Sequence, residues 1–182
     1  MSHIQSFNYN NYSIFNIQFS MLTPTSTLSS DSRLWIFQAE RELTQAEEQY
    51  ISEHTGQFLT KWTAHNNELK SGFEIRYHRF LIIMVDENYN STGGCSIDKC
   101  MHQVQQFEKA LGISFLNRLS IAYREGDKIQ TISKSAFEEL LHSGRLTEKT
   151  IVFNNLIQTK QELESAWEVP VEKSWHKVMI SD

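Results

Sequence analysis

A short stretch near the middle of the chain, GGCSIDK at 93–99, carries the densest group of side chains that can do chemistry. Cys95 contributes a thiol, whose deprotonated form is a nucleophile. Asp98 contributes a carboxylate, and two more carboxylates, Asp86 and Glu87, come shortly before it. If the protein is an enzyme, either the Cys95 thiolate or the carboxylates Asp86 and Asp98 would act. Cys95 and Asp98 are therefore the candidate catalytic residues.

The same stretch also has features of an anion-binding loop. Ser96 is predicted to be a helix N-cap, because its hydroxyl can accept a hydrogen bond from a free backbone N–H. A helix N-terminus presents free N–H groups and about half a positive charge, and the two glycines would let the backbone approach a ligand closely. The candidate ligand-binding residues are Gly93, Gly94, Ser96, Lys99, Asp86 and Glu87. An ordinary turn before a capped helix is the alternative interpretation.

A cysteine nucleophile needs a base within hydrogen-bonding distance, most often a histidine. No spacing selects among the histidines that could serve, which are His65, His78, His102 and His176. A buried structural thiol is the alternative interpretation of Cys95. Cys100 is predicted to lie in the core, because it falls on the apolar stripe of a helix.

Metal binding is not predicted. Asp86, Glu87 and Asp98 could supply oxygen ligands to a hard cation, but they lack the spacing of an EF-hand loop. The histidines and cysteines show neither the HExxH pattern nor a zinc-finger spacing. The sequence points to no particular cofactor.

A strand and a helix must position this stretch. Residues 80–85, FLIIMV, form a continuous apolar run, which is typical of a strand buried on both faces. Residues 88–94 have the composition of a loop. From Ile97 onward, apolar residues recur at intervals of three and four, which predicts a helix with one buried face. Gly112 is expected to end that helix, since glycine adopts a positive φ at little cost.

The rest of the chain supplies further elements. Strands are predicted at 34–38, 73–77, 119–124, 128–133 and 151–153. Three helix starts are predicted from capping boxes, which pair Thr44 with Glu47, Ser135 with Glu138 and Thr159 with Glu162. The helix at about 45–65 is predicted to bury Phe58 and Trp62, and Pro170 is expected to stop the last helix near Trp167. Residues 125–127 predict a hairpin turn. Residues 73–85 form either a hairpin or one long bent strand, because no Gly, Pro or Asn marks a turn at 78–79.

The order β-α-β-β-α-β-β-α-β-α predicts an α/β (α+β) fold, with a two-layer mixed β-sheet covered by helices. Its first six elements match a ferredoxin-like β-α-β-β-α-β core with a C-terminal extension. Residues 31–182 are predicted to be one globular domain. Residues 1–30 contain no Lys or Arg and are rich in Asn, Ser and Thr. A disordered tail is expected there, with Met21 as an alternative start of translation.

Composition argues against several classes of function. The net charge is −5 and no cluster of Lys or Arg occurs, so nucleic-acid binding is not expected. No apolar run approaches the length of a membrane span. Cys95 and Cys100 would project from different helix faces, so a disulfide is not expected and a reducing, cytoplasmic location is favoured.

Six segments carry a family resemblance: SRLWIFQAERELT at 32–44, FLTKWTAHNNEL at 58–69, RFLIIMVDE at 79–87, GGCSIDK at 93–99, TIVFNNL at 150–156 and SWH at 174–176. Together they resemble a family of small uncharacterised bacterial proteins that are often labelled ABC transporter ATPases. Members of that family typically begin near the position of Met21. The label implies an ATPase, but the chain has no GxxxxGK[ST] phosphate loop. Autonomous P-loop ATPase activity is therefore not expected.

The first interpretation is a non-catalytic protein that binds a small anionic ligand or a protein partner at Gly93–Lys99. One alternative is an enzyme that uses Cys95, or Asp86 and Asp98. Another is an interaction module with no small-molecule site. The sequence does not indicate an oligomeric state.

Overall fold

The computed structural model describes residues 23–64 and 67–180. These residues form an α/β (α+β) fold with four helices and antiparallel sheets, as the sequence predicts. The helices are α1 Gln45–Leu59, α2 Gly94–Leu111, α3 Lys134–His142 and α4 Lys160–Ser165. The strands are β1 Arg33–Gln38, β2 Thr63–Ala64, β3 Asn67–Glu68, β4 Ser71–Arg76, β5 Phe80–Val85, β6 Ser120–Glu125, β7 Lys128–Ser133, β8 Ile151–Phe153 and β9 Glu168–Pro170. Over the described residues, no helix combines the length and the apolar character that crossing a membrane requires.

Strand β5 lies at the centre of a three-stranded antiparallel sheet with the order β1-β5-β4. Every one of its side chains, FLIIMV, is buried. Successive side chains of a strand point to opposite faces, so a strand without a polar face must be covered on both sides. The apolar run therefore requires a layer of structure on each face of this sheet.

Helices α1 and α2 supply the layer on one face. Leu81 and Ile83 of β5 belong to one apolar cluster with Ile51 of α1 and with Val104 and Phe107 of α2. Burying a side chain of this size contributes about 1.5–3 kcal/mol. The packing of helices on a sheet confirms the predicted two-layer arrangement.

A second sheet, with the order β7-β6-β8-β9, covers the other face. Phe80 and Ile82 of β5 pack there with Phe153 and Trp167, and the rings of Phe80 and Phe153 stack with centroids 4.8 Å apart. The prediction of a mixed sheet is corrected, because every strand pair within the described residues is antiparallel. A tight hairpin joins β4 to β5, and the connection through α1 places β1 on the far side of β5.

The ferredoxin-like prediction places a fourth strand beside β1. The three long strands of the first sheet have the order that this prediction requires, with β5 between β1 and β4. Strand β6, however, pairs with β7 and β8 in the second sheet. Within residues 23–64 and 67–180, the outer edge of β1 has a single isolated bridge, from Arg33 to Thr159. Strand β1 is therefore an edge strand.

The last part of the predicted disordered tail, residues 23–30, packs against the first sheet. Leu28 is 3 % exposed and lies in the cluster that contains Leu34. A Cβ atom at Gly72 of β4 would lie 2.5 Å from the carbonyl oxygen of Thr23, so glycine is required at this contact. The tail prediction therefore does not hold for residues 23–30. Residues 1–22, including Met21, lie outside the described residues.

Helix α2 begins earlier than predicted. Gly93 is its N-cap and has no side-chain cap, so Ser96 lies inside the first turn. The Ser96 hydroxyl donates to the Thr63 carbonyl at 3.0 Å and does not cap the helix. The predicted end is confirmed, since Gly112 is the C-cap with a φ of 64°.

Other helix ends also differ from the sequence prediction. Ser133, and not Ser135, caps α3, because its hydroxyl accepts a hydrogen bond from the Ala136 N–H at 3.2 Å. Helix α1 ends at residue 59, before the predicted end, and α4 ends at Ser165. Pro170 closes strand β9, where proline is tolerated because the strand lies at a sheet edge. The capping boxes of α1 and α4 are confirmed.

A tight turn at Tyr77 and His78 joins β4 to β5, so residues 71–85 form a hairpin. Tyr77 and His78 have positive φ angles of 55° and 50°. Two successive residues of this kind are typical of a type I′ turn, in which Asn-Gly is the preferred sequence. A residue with a side chain costs about 1–2 kcal/mol in the left-handed region. The turn is therefore strained, because Tyr77 and His78 are not residues that favour a positive φ.

Contacts of Tyr77 with the second sheet offset this strain. Its ring stacks on Trp167 with centroids 5.9 Å apart, and its hydroxyl donates to the Glu168 carboxylate. The Arg124 guanidinium lies 4.8 Å from the centre of the Tyr77 ring, and its Nε donates to Glu168 at 2.7 Å. Tyr77 therefore joins the hairpin turn to the second sheet.

Glycine substitutions at the turn should separate strain from packing. His78→Gly is expected to raise the free energy of unfolding by about 0.5–1 kcal/mol, because glycine adopts the left-handed conformation without strain. The pair that His78 forms with Glu48 is exposed, so its loss costs little. Tyr77→Gly is expected to lower it by about 1–3 kcal/mol, because the contacts with the second sheet are lost. Urea unfolding measures both values. Equal effects of the two substitutions would contradict this account of the turn.

His176 is a buried histidine in the C-terminal part of the described chain. It is 1 % exposed, its ring packs near that of Phe137, and its Nδ1 lies 2.9 Å from the Ser174 hydroxyl. Burial disfavours the charged imidazolium and lowers the pKa of His176 to about 4. The imidazole is therefore neutral in the folded protein at neutral pH.

This burial is expected to make the fold sensitive to mild acid. Between pH 6.5 and about 4, the unfolded chain binds a proton at His176 that the folded chain does not. The free energy of unfolding therefore has its full value above pH 6.5 and falls as the pH is lowered. The total loss is up to about 3 kcal/mol, because a difference of one pKa unit between the folded and unfolded states corresponds to about 1.4 kcal/mol. Urea unfolding across this range measures the loss. A His176→Asn variant should show a flatter profile, with exposed His142→Asn as the control, and a wild-type slope in His176→Asn would refute the assignment.

Candidate functional site

A cleft of about 610 Å³ lies between the C-terminal half of α1 and the middle of α2. Its lining from the α1 side is His54, Gln57, Phe58, Lys61 and Trp62, and from α2 it is Asp98, Lys99, His102, Gln103 and Gln106. Residues three and four apart share a helix face, so each helix presents one row of side chains to the cleft. A concave volume of this size is typical of small-molecule sites.

Trp62 fixes the aromatic wall of the cleft. Its Nε1 donates to the Ser96 carbonyl at 2.9 Å, while the Ser96 hydroxyl donates to the Thr63 carbonyl at 3.0 Å. These two hydrogen bonds tie the segment after α1 to the first turn of α2. The Trp62 ring lies 5.2 Å from the Phe58 ring and 6.0 Å from the Trp35 ring, between centroids. The orientation of the indole is therefore set by both polar and aromatic contacts.

The charges in the cleft favour an anion. Lys61 and Lys99 enter it from opposite sides. Across the described parts of the chain, neither lysine forms an ion pair. Asp98 is the one carboxylate in the lining, so two ammonium groups outnumber it, in a protein whose net charge is −5. The cleft is therefore a local positive site on an acidic molecule.

Lys99 is the one predicted ligand-binding residue that lines this cleft. Ser96 lies beneath it, where it is 3 % exposed and bonded to Thr63. Gly93 precedes the helix as its N-cap, and a Cβ at Gly94 would meet no atom within 4 Å. Neither a turn nor a close approach therefore requires glycine at position 94.

The predicted carboxylates Asp86 and Glu87 anchor the loop that leads into α2. Burial opposes ionisation of Asp86, but bonds from Lys70 at 3.1 Å and from the Asn88 N–H at 3.3 Å outweigh it and lower its pKa. Burial likewise opposes ionisation of Glu87, and bonds from Thr92, one of them from its N–H at 2.9 Å, leave the pKa below its usual value. Both side chains are therefore engaged within the protein and do not line the cleft.

The predicted catalytic residues are not assembled into a nucleophile and a base. Cys95 is exposed, which corrects the interpretation of a buried structural thiol. His102 lies seven residues further along α2, which is about 10 Å along the helix axis and beyond hydrogen-bonding distance. Asp98 lines the cleft beside His102. The second cysteine, Cys100, is buried as predicted, and burial raises the pKa of its thiol to about 12.

The other predicted bases are engaged elsewhere or lie outside the described residues. His78 pairs with Glu48 at 3.0 Å at the hairpin turn. His176 is buried beside Ser174, and its ring lies 6.0 Å from that of Phe137, between centroids. His65 lies in the segment that the structure does not describe. The described geometry therefore gives Cys95 no general base.

The cleft also lacks the donor set of a metal site. Among the residues that the structure describes, no three His, Cys, Asp or Glu side chains are grouped closely enough to hold a metal ion. His54, Asp98 and His102 line the same cleft without forming such a group. The chemistry that the cleft offers is therefore charge attraction, amide hydrogen bonding and aromatic contact.

The α1 side of the cleft is not among the sites predicted from the sequence. The prediction that Phe58 and Trp62 are buried is confirmed for Trp62, which is 2 % exposed in the core cluster, while Phe58 packs half-buried against that cluster. A usable signal was present, since His54, Gln57, Phe58 and Lys61 follow the i, i+3, i+4, i+7 spacing of one helix face. A face that mixes an aromatic ring with polar and charged groups differs from a purely apolar core stripe. The sequence did not show that α2 would lie against this face.

Comparisons of the chain with protein-family models, with curated proteins and with solved structures found no match. Membership of the family that the sequence resembles therefore stays a prediction. The function proposed below rests on the charges, rings and hydrogen bonds of the cleft.

The two thiols are expected to differ sharply in reactivity. Iodoacetamide should alkylate one thiol per native chain at neutral pH, because Cys95 is exposed whereas Cys100 is buried with a raised pKa. Mass spectrometry of the intact protein counts the adducts, and Cys95→Ser should abolish the reaction. The Cys100→Ser variant then isolates the alkylation rate of Cys95 as a function of pH. A rate that follows the same pH dependence as the urea-unfolded chain would count against a cysteine enzyme.

Proposed function

We propose that this protein is a non-catalytic binding protein whose α1/α2 cleft takes a small, flat, organic anion. One observation carries the proposal: two lysines without ion pairs in the described structure and an aromatic wall meet in one concave site. The proposal keeps the predicted ligand class and moves the site from the Gly93–Lys99 loop to the cleft beside it. A reducing, cytoplasmic location is part of the proposal, since Cys95 is an exposed free thiol.

Charge attraction supports the anionic part of the ligand. Lys61 follows the end of α1 and Lys99 lies in the first part of α2, so a carboxylate, sulfonate or phosphate can be reached from both sides. An exposed ion pair contributes about 0.2–1 kcal/mol, and two acting together give useful selectivity for an anion. Asp98 disfavours a second negative group near His102, which points to a ligand with one acidic group.

Aromatic contact supports the flat part of the ligand. Phe58 is half-buried and supplies the accessible ring of the wall. Trp62, which is 2 % exposed, lies behind it, with the two rings tilted by 37° and their centroids 5.2 Å apart. Stacking a ligand ring on such a wall contributes about 0.5–1.5 kcal/mol beyond the buried area. The amides of Gln57, Gln103 and Gln106 supply donors and acceptors around the rim.

Catalysis is not part of the proposal. Cys95 has no histidine base in the described geometry, and Asp98 has no second carboxylate in the cleft. ATP hydrolysis is also left out, because the chain lacks the phosphate loop that the label of the resembling family would require.

An aromatic sulfonate tests the cleft directly. Anilinonaphthalene sulfonate is expected to bind wild-type protein and to quench tryptophan emission, because the Trp62 ring lies 5.2 Å from the Phe58 ring that the sulfonate would contact. Lys61→Gln and Lys99→Gln should each weaken binding roughly two- to fivefold, as expected for the loss of one exposed charge contact. Fluorescence titration at low ionic strength measures the dissociation constants.

Two controls make this experiment decisive. Lys109→Gln removes an exposed lysine from the last turn of α2, outside the cleft, and should leave binding unchanged. The uncharged parent ring system, without the sulfonate, should bind equally to wild type and to the lysine variants. Unaltered sulfonate binding by the Lys61→Gln/Lys99→Gln double variant, with its circular dichroism preserved, would overturn the proposed function.

A further inference from the structure

The outer edge of β1 is partly unpaired. The Leu34 N–H donates to the Gln158 carbonyl at 2.9 Å, so the backbone of Leu34 points away from β5. The N–H of Ala39, five residues later, donates to the backbone carbonyl of Arg79, on the side of the strand that faces β5. Backbone groups alternate in direction along a strand, so the N–H and C=O groups of Ile36 also point outward. Among the described residues, neither group of Ile36 has a backbone partner.

A groove of about 450 Å³ runs along this edge. The residues 33–38 of β1 form one side, and the segments 115–118 and 155–158 form much of the rest. A hydrogen bond from the Gln38 side chain to the Ser120 carbonyl, 3.5 Å long, marks the end of the groove opposite Arg33. Leu156, which is 65 % exposed, gives the groove an apolar lip. The groove therefore combines an open strand edge with apolar and polar walls.

The charge of this groove is positive. Its lining contains two arginines, Arg33 and Arg118, and no carboxylate among the described residues. Arg33 lies at the start of β1, and Arg118 lies near Ser120 beside Gln38, at the other end. Five residues of strand separate the two ends by about 17 Å. Arg33 pairs with Glu87, which lies outside the lining of the groove, at 3.7 Å between Nη1 and Oε1. Arg118 forms no ion pair within the described structure, so it carries the unbalanced positive charge of the groove.

We propose that the groove binds an extended, acidic peptide segment of a partner protein, which adds to the free edge of β1 as a fourth strand. The peptide pairs with the backbone N–H and C=O of Ile36 and places a carboxylate near Arg118. Pairing of this kind takes its affinity from main-chain hydrogen bonds and its specificity from alternate side chains. This surface is separate from the α1/α2 cleft, and the proposal does not depend on the function proposed for that cleft.

The positive charge argues against two other occupants. A second copy of the chain would bring a second pair of arginines to the same edge, and like charges across an interface are unfavourable. Residues 1–22 of the chain contain no Asp or Glu. They join the described structure at Thr23, whose carbonyl lies against Gly72 of β4, at the opposite edge of the sheet from β1.

A designed peptide tests this surface on the full chain. The probe is a fluorescent, capped hexapeptide, Asp-Thr-Val-Thr-Val-Asp, whose central residues can pair with Ile36 while an aspartate reaches Arg118. Fluorescence anisotropy should show binding, and the Ile36 amide should shift in the NMR spectrum on titration. Replacing both aspartates of the peptide by asparagine should weaken binding roughly two- to fivefold, because the charge contact with Arg118 is lost. Methylating the central backbone nitrogens should abolish binding, because it removes the strand pairing.

Protein variants separate the charge contact from the fold. Arg118→Gln should weaken binding of the acidic peptide and leave the asparagine peptide unaffected. Arg145→Gln, at an exposed position outside the groove, is the matched control and should bind like wild type. Absence of binding at about 1 mM peptide, or binding that survives backbone methylation, would overturn the proposal. Strong protection of the Ile36 amide from hydrogen exchange in the free full chain would also overturn it, because the edge would already be occupied.

Discussion

The burial of β5 on both faces is the constraint on which the rest of the structure depends. A strand whose six side chains are all apolar has no face that water can cover, so the chain must supply two layers. Helices α1 and α2 form one layer and the second sheet forms the other. Tyr77 then joins the β4–β5 hairpin to the second sheet at the turn, where the backbone is strained. Packing on both faces of β5 therefore stabilises a turn that its own residues, Tyr77 and His78, do not favour.

The same constraint creates the cleft. Helices α1 and α2 must both direct apolar side chains at β5, which brings them side by side and leaves their polar faces to meet outside the core. Two polar contacts then hold the meeting point, since Ser96 accepts from Trp62 through its carbonyl and donates to Thr63 through its hydroxyl. The positive charge of the cleft depends on Lys61 and Lys99, which no ion pair of the described structure neutralises. This local positive charge on an acidic protein is the basis of the proposed anion site.

Helix α2 takes part in both candidate surfaces. Asp98, Lys99 and His102 line the cleft, whereas Met101, on another face of the helix, lines the groove beside β1. The groove exists because β6 joins the second sheet and leaves β1 with one long partner strand. A ferredoxin-like sheet would have covered that edge with its fourth strand. The departure from the predicted topology is therefore what opens the second surface.

The sequence by itself determined the elements whose signals are local. The run at 80–85, the glycine that ends α2 and the capping boxes of α1 and α4 depend on neighbouring residues, and the structure has all of them. Tertiary structure alone decided the partners of the polar side chains. Ser96 has the composition of a cap but bonds to Thr63, and Asp86 looks like a site carboxylate but pairs with Lys70. These partners lie 33 and 16 residues away, and a hydrogen bond across such a separation leaves no periodic trace in a sequence.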